Sequence, residues 1–297
     1  MQECDIMPEG PEVKKITEKL NQSLAGKTIT QIDIVDESYK TNQMRDEVDD
    51  FMATLPHTID SVQCKGKFIY WTLDGGAWHI WHTLGMSGTW RYGNTQQKGI
   101  RVTLHTEGKK AHYRDTRKFG TFKFFKNNPD GLEKKLNKLG PDMLSEPVPD
   151  ELFLTKLRKV NHYNICKAIM QQTVIAGVGN YIKAEALYKA RINPHAKVED
   201  LSDDNLKELN KQIKSVIYSS FANRGASFRD YVMPDGDVGT YAFEFEVYSK
   251  SSDPYMNRVV REETPDKRTT HWVPEIQTIG RTTELVETPL TAQSALV

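Results

Sequence analysis

Residues Gln171–Leu187 read QQTVIAGVGNYIKAEAL, and Gly177 and Gly179 interrupt a chain whose flanks, NICKAIMQQTV and NYIKAEALYKARI, carry helical patterning. Without a Cβ at either glycine the backbone can approach a ligand closely, and Asn180 opens the second helix with its free N–H groups. Two readings stay open on these residues alone. The turn receives an anion such as a DNA phosphate, or it is a tight interhelical turn with an asparagine cap.

On either side of this stretch the texture of the chain divides. From about Pro141, PDELFLTKLRKV, the two helices just quoted and SDDNLKELNKQIKSVIYSSFANR predict a four-helix domain, with Asp150, Asn164, Asn180 and Ser202 as N-caps. Earlier, GPEVKKITEKLNQSLAG spaces Val13, Ile16, Leu20 and Leu24 for one amphipathic helix that stops at Gly26. The runs KTITQIDIV, HTIDSVQC, GKFIYWTL, GAWHIWHT, GIRVTLHT and GTFKFF then predict an antiparallel sandwich or barrel. YAFEFEVYSK and RTTHWVPEIQ read as two final strands joined by a polar loop, with disorder expected from Arg281 onward. The fold class is α+β in two domains.

Composition narrows the function classes. A chain of 297 residues accommodates two cores, and no apolar run approaches the roughly 20 residues of a membrane helix. MQECDI carries two acids and no base, the wrong polarity for a secretory signal, so an intracellular protein is expected. Forty basic and forty acidic side chains balance, which argues against nonspecific coating of nucleic acid. Cys4, Cys64 and Cys166 form no CxxC pair, and His162 with Cys166 one helical turn apart is too little for a zinc site. GKKAHYRDTRKFGTFKFFK interleaves cations from Lys109 to Lys126 with Tyr113, Phe119, Phe122, Phe124 and Phe125. That pattern suits phosphate contact with base stacking, and equally an amphipathic β-hairpin with one solvated face.

MPEGPEV, CKGKFIYW, HTLGMSGTW, RDTRKFG, QQTVIAGVGNYIKAEAL, GASFRDY and YAFEFEVYSK follow one another in this order. Together they resemble the formamidopyrimidine-DNA glycosylase and endonuclease VIII family, over nearly everything from Pro8 to about Gln277. The resemblance implies an N-terminal β-sandwich over 8–140, a helix-two-turns-helix domain over 141–238, a finger hairpin over 239–280 and a tail over 281–297. It implies a base-excision-repair enzyme that is both DNA glycosylase and AP lyase, cutting by β,δ-elimination. The partner is damaged DNA, bound by a monomer with no cofactor, no metal and no membrane.

By the same resemblance Pro8 supplies a terminal amine that attacks C1′ of the damaged nucleotide. Glu9 transfers protons to the departing base and opening sugar, and Glu12 positions. Lys67 is catalytic, contacting phosphates around the lesion and taking part in the elimination steps. Met86, Arg117 and Phe119 fill the stack vacated by the flipped base, with Arg117 and Phe119 alternating on a strand-like stretch and Lys118 turned elsewhere, toward phosphate. Asn180 grips phosphate beside the lesion, and Arg268 is the finger arginine that contacts phosphate and aids δ-elimination. Many relatives carry a four-cysteine zinc finger, whereas this chain has no cysteine after Cys166, as in the zincless, endonuclease VIII-like branch. A histidine pair seen in many bacterial members is replaced by QQKGIR, which leaves Lys98 or Arg101 for that contact. Oxidised pyrimidines and ring-opened purines are the favoured lesions.

Chemistry makes the start of the chain decisive. An internal proline nitrogen is an amide and cannot attack, whereas a free secondary α-amine is partly unprotonated at neutral pH. Met7 is therefore expected to be the initiator, or residues 1–7 a removed leader. If they are retained, the expectation becomes a noncatalytic protein that binds damaged DNA. An RNA-binding helical module would account for GVGN but not for the β-domain.

Overall fold

A computed structural model of the chain describes residues 7–35, 39, 45–93, 97–226, 240 and 244–280. The expected tail over 281–297, and most of the segment RDYVMPDGDVGTYAF, lie outside the described residues.

The opening helix α1 spans Gly10–Leu24 and buries Val13, Ile16, Leu20 and Leu24, with Pro11 in its first turn and Gly26 at φ +77° just past its end. Eight strands follow: β1 (Thr28–Ile34), β2 (His57–Lys65), β3 (Phe68–Leu73), β4 (Trp78–Thr83), β5 (Thr89–Tyr92), β6 (Ile100–Thr106), β7 (Lys109–Arg114) and β8 (Thr121–Lys126). They form one antiparallel sheet in the order β5-β7-β6-β1-β2-β3-β4-β8. Where β1 meets β2 only Thr28–Thr58 and Ile29–His57 are in register, and there the sheet folds over. Its halves face each other through aromatic rings, with Trp71 of β3 5.5 Å from Trp90 of β5 and Tyr113 of β7 6.3 Å from Phe122 of β8. All four are buried, and each contributes about 2–3 kcal/mol from lost apolar exposure. The expected sandwich is present.

The basic aromatic stretch is not a hairpin. β7 pairs with β5 and β6 in one half, whereas β8 pairs with β4 in the other, so residues 115–120 form a corner between the two halves of the sheet. Two helices that the periodicity does not announce, α2 (Arg45–Ala53) and α3 (Pro129–Lys138), lie beside this domain; α2 packs Phe51 4.5 Å from Phe124.

The helical domain contains α4 (Asp150–Arg158), α5 (Ile165–Met170), α6 (Asn180–Lys189) and α7 (Asp203–Ala222). Asn164 caps α5 by accepting from Cys166 N at 2.9 Å, and Ser202 caps α7 by accepting from Asn205 N at 3.2 Å. The other two expected caps are displaced by one residue. Pro149 and Gly179 hold the cap positions, so Asp150 and Asn180 are the first helical residues. The carboxylate of Asp150 instead accepts from Asn210 Nδ2 at 2.7 Å.

Helix α6 is buried from Tyr181 through Tyr188, charged residues included. Lys183 pairs with Asp266 at 2.8 Å, and Glu185 accepts the N–H groups of Glu246, Val247 and Tyr248 at 3.0, 3.0 and 2.7 Å. Three consecutive N–H groups converging on one carboxylate are incompatible with an extended strand, whose N–H groups alternate in direction. EFEVYSK, residues 244–250, is accordingly a turn-rich segment rather than the expected strand. The terminal hairpin consists of β9 (Val260–Thr264) and β10 (Arg268–Trp272).

The two domains meet backbone to backbone. Gly10 N donates to Gly177 O at 2.8 Å, and a Cβ on Gly66, whose φ is +56°, would lie 2.7 Å from Gly177 N. Asp142 closes the contact by accepting from Gly66 N at 3.0 Å and Leu144 N at 3.0 Å. Gly66→Ala combines a left-handed backbone with this clash and should cost roughly 2–4 kcal/mol. Urea unfolding checks the value, and an unchanged midpoint would contradict the close approach.

Candidate active site

Pro8 and Glu9 precede α1 and lie on the seam between domains. The Glu9 side chain points away from its own helix, toward α6. Its Oε1 accepts from Tyr181 N at 2.8 Å and its Oε2 from Ile182 N at 3.3 Å. The cap residue of α6, Gly179, has no side chain to offer those N–H groups, and a Cβ there would fall 2.2 Å from the Glu9 carboxyl carbon. The N–H groups of Tyr181 and Ile182 at the start of α6 are therefore taken by a carboxylate of the protein itself.

Glu12, one turn into α1, closes a second layer. Its carboxylate accepts from Glu9 N at 2.9 Å, Ala226 N at 2.7 Å and the Tyr181 hydroxyl at 3.0 Å, and Ser220 lies within 3.3 Å. These bonds tie α1 to α6 and α7. Lys67, on the turn before β3, donates from Nζ to Val178 O at 2.8 Å, and Gln172 Nε2 donates to the same carbonyl at 3.0 Å.

Above these groups lies a cleft of about 220 Å³ lined by Met7, Pro8, Val13, Lys67, Thr83, Leu84, Gly85, Met86 and Arg268. Residues that lie up to 261 positions apart in sequence share it. Arg268 begins β10 and places Nη1 3.8 Å from Met7 Sδ. Its position follows from the hairpin turn, where Asp266 accepts from buried Lys183 and from the Thr264 hydroxyl at 2.6 Å. Asn180 sits at the same junction; its Nδ2 donates to Thr269 O at 2.9 Å, and its buried Oδ1 meets no donor among the described residues.

Arg117, Lys118 and Phe119 occupy the corner between β7 and β8, which is a loop and not the strand-like stretch expected. Lys118 has φ +60°, so alternation does not orient its neighbours. Phe119 nevertheless projects, 62% exposed, and the loop touches the turn that carries Met86: a Cβ on Gly85 would lie 2.4 Å from Gly120 N. Arg101, one candidate for the missing histidine contact, donates from Nε to Asp115 O at 2.7 Å, which turns it toward this loop. Sequence reasoning missed Tyr181, Val178 and Asp115 as parts of the site. Tyr181 and Val178 look like core positions, and Asp115 looks like a solvated member of a charge run.

Burial sets the acid–base character of the cleft. It pushes the Glu9 carboxyl up to about 8, against the attraction of Lys67 and the two N–H groups of α6, with Glu12 adding to the rise. Glu12 is raised for the same primary reason. Lys67 is lowered by burial and by the charge of Arg268, opposed by Glu9. A protonated carboxyl at neutral pH beside a hindered lysine and an arginine is an arrangement for giving a proton to a leaving group next to phosphate. Among the described residues no cluster of three or more His, Cys, Asp or Glu side chains is placed to hold a metal, and no helix is long and apolar enough to cross a membrane.

Comparison with known proteins gives the same picture. The N-terminal domain of formamidopyrimidine-DNA glycosylase matches residues 7–122, its H2TH domain residues 139–231 and its C-terminal domain residues 234–278. The formamidopyrimidine-DNA glycosylase of Oceanobacillus iheyensis is 32% identical over 84% of this chain and 89% of its own. That of Bacillus subtilis is 30% identical over 92% and 99%. The crystal structure of MutM (Fpg) from Thermus thermophilus superposes with a TM-score of 0.79 at 26% identity, over 92% of this chain and all of the other. Wild-type Lactococcus lactis Fpg, solved with DNA containing an oxidised pyrimidine, shares the fold at 24% identity, with a TM-score of 0.79 over 91% of this chain and 99% of its own. The chain belongs to the formamidopyrimidine-DNA glycosylase family, and is a DNA-repair enzyme of the glycosylase and AP lyase class.

The raised Glu9 carboxyl has a measurable consequence. In the folded chain it keeps its proton up to about pH 8, whereas the unfolded chain releases it near 4.5, so rising pH between those values favours unfolding. Glu9→Gln cannot ionise, so its stability relative to the wild type should improve steadily from pH 5 to pH 8. Urea midpoints of the two proteins across that window test this, and a constant difference would contradict the raised value.

Proposed function

We propose that the chain excises oxidised bases from DNA through a Schiff base formed by Pro8 and then cuts the strand by β,δ-elimination. The observation that carries the reading is the shared cleft, which brings Pro8, Lys67, Met86 and Arg268 together beside the proton of Glu9. Freed from Met7, the Pro8 nitrogen is a secondary amine. It bonds to C1′ of a flipped nucleotide, the sugar ring opens and the base departs, while Glu9 delivers the proton that the leaving atom requires. The resulting iminium acidifies the C2′ proton. Its removal expels the 3′ phosphate, and a second elimination expels the 5′ phosphate, with Arg268 and Lys67 countering the negative charge on the phosphates.

Met86, Arg117 and Phe119 are suited to fill the gap in the stack, since Met86 lines the cleft and Phe119 projects beside it. Lys118, exposed on the same loop, and Asn180, at the start of α6, are placed as phosphate contacts. Ring-opened purines and oxidised pyrimidines are the substrates assigned; the name carried by the bacterial relatives supports the former. The terminal hairpin is assigned to the zincless branch, with Asp266–Lys183 and the Trp272 Nε1 bond to Glu262 at 2.7 Å holding it together. The enzyme acts as a monomer inside the cell, wherever its DNA lies.

A second reading has one specific observation behind it. Met7 lines the cleft, and while it remains attached Pro8 is an amide. A chain that keeps residues 1–7 would bind a lesion without cutting. Intact mass of the protein from the expressing cell should place the terminus at Pro8. Borohydride should then trap a covalent adduct with duplex DNA carrying an abasic site or a thymine glycol, and Pro8→Gly should abolish it. Glu9→Gln should slow base release by roughly 10²–10⁴-fold. An adduct that persists in Pro8→Gly would sink the mechanism.

A further inference from the structure

Asp115 takes no part in the chemistry above, yet it is completely buried at the corner of the sandwich. Its Oδ1 accepts from the Ser87 hydroxyl at 2.5 Å and from Arg117 N at 3.3 Å. Its Oδ2 accepts from the Tyr39 hydroxyl at 2.8 Å, from Gly120 N at 2.8 Å and from the Tyr113 hydroxyl at 3.4 Å. The main chain of the same residue is held too, with Asp115 N donating to Gly99 O at 2.9 Å and Arg101 Nε donating to Asp115 O at 2.7 Å.

The partners divide between two loops. Ser87 follows Met86, while Arg117 N and Gly120 N bracket Arg117, Lys118 and Phe119. Ser87 Oγ also accepts from Arg117 N at 3.0 Å, so hydroxyl and carboxylate form a closed set with the loop backbone. Ladders pair the strands at both ends of the loops, Thr83 with Thr121 and Thr89 with Arg114, but none runs between residues 84–88 and 115–120, and one loop contains a left-handed lysine. Within the loops regular pairing therefore does not set the spacing between Met86 and Phe119. Buried hydrogen bonds to an ionised group do so, and such bonds are short and strong.

We infer that Asp115, acting with Ser87, is the positioning residue that sets Met86, Arg117 and Phe119 at the fixed spacing needed to enter a DNA stack together and hold a base extrahelical. This rests on the proposed excision function and extends it to a residue that touches neither substrate nor Pro8. Arg101, one of the two residues left for the DNA contact of the missing histidine pair, serves on this reading as a brace for the same loop. The hydrogen bonds from Ser87, Gly120 and Tyr39 outweigh burial and hold the Asp115 carboxyl below its ordinary range, so the anchor stays ionised wherever the enzyme works.

The test separates opening of the stack from chemistry. Asp115→Asn puts an amide donor against donors that it cannot satisfy, and Ser87→Ala removes the bond between the loops with little change of volume. Protein isolated from the expressing cell is mixed with a duplex carrying 2-aminopurine beside the lesion, whose fluorescence rises on unstacking. The same protein is trapped by borohydride on an abasic site in a single strand, where nothing needs to be unstacked.

Misplacing the wedge should slow the fluorescence rise and duplex excision together, by roughly 30- to 100-fold for Asp115→Asn and about tenfold for Ser87→Ala. Single-strand trapping should fall by less than about threefold, because Pro8, Glu9 and Lys67 are undisturbed. Equal losses on both substrates would mean a general structural role and overturn the inference, as would wild-type unstacking in either variant. Should Asp115→Asn fail to fold, Ser87→Ala decides alone. Absence of trapping by the wild type would instead count against the Schiff-base reading, while the fluorescence arm would still judge Asp115.

Discussion

The carboxylate of Glu9 seated on the N-terminus of α6 is the contact on which the rest of the site depends. A helix start leaves N–H groups without partners, and a residue such as serine or aspartate at the cap usually accepts from them. Here the cap is Gly179, and the acceptor comes from the other domain, 170 positions away in the chain. Docking the β-sandwich on the helical domain and completing α6 are therefore one event. The same helix then carries Asn180 to Thr269 O and Lys183 to Asp266, so the hairpin that bears Arg268 is indexed to Glu9 through a single rigid element. An ordinary Ser or Asp cap at position 179 would satisfy the helix and displace the acid.

This arrangement explains why the glycines cluster where the domains meet. Gly10, Gly66 and Gly177 let three backbone segments touch, and Gly179 leaves room for a carboxylate. A wider seam would admit water around Glu9. Dehydration is what raises its affinity for a proton, and the N–H groups of Tyr181 and Ile182 with Lys67 compensate only in part. Lys67 is oriented by the Val178 carbonyl of the same turn. The glycine turn thus sets both the proton of Glu9 and the direction of Lys67, although it contributes no side chain to the chemistry.

Where one period or one residue type decides an element, the sequence was legible. Val13, Ile16, Leu20 and Leu24 mark α1, Asn164 and Ser202 mark two helix starts, and β-branched runs mark six of the eight strands in the sandwich. Helix α3 buries only Leu132, and α2 turns little more than Val48 and Phe51 inward, so neither shows a period. EFEVYSK alternates like a strand, but the buried carboxylate of Glu185 gathers the N–H groups of Glu246, Val247 and Tyr248 to one point. Family motifs singled out Pro8, Glu9, Lys67, Met86 and Arg268, and the structure brings all of them but Glu9 to the lining of one cleft. They did not reveal that Glu9 caps α6 or that Asp115 is buried, because both facts depend on partners distant in sequence and on depth, which residue type alone does not report.

Two buried carboxylates, each bridging separate segments of chain, end in opposite protonation states, and the difference suits the separate tasks proposed for them. Both lose hydration. Asp115 regains more than it loses, from three hydroxyls and two backbone N–H groups, and is held as an anion. Glu9 receives two N–H groups and a partial benefit from Lys67, with Glu12 close behind it, and burial prevails. A group that must transfer a proton works best with its affinity near the ambient pH, where loss and recovery are comparably easy. A group that must hold two loops at constant spacing works best far from that point, because a change of protonation would reverse the direction of its hydrogen bonds. Donors withheld from Glu9 and supplied in number to Asp115 place each carboxylate on the appropriate side of neutrality.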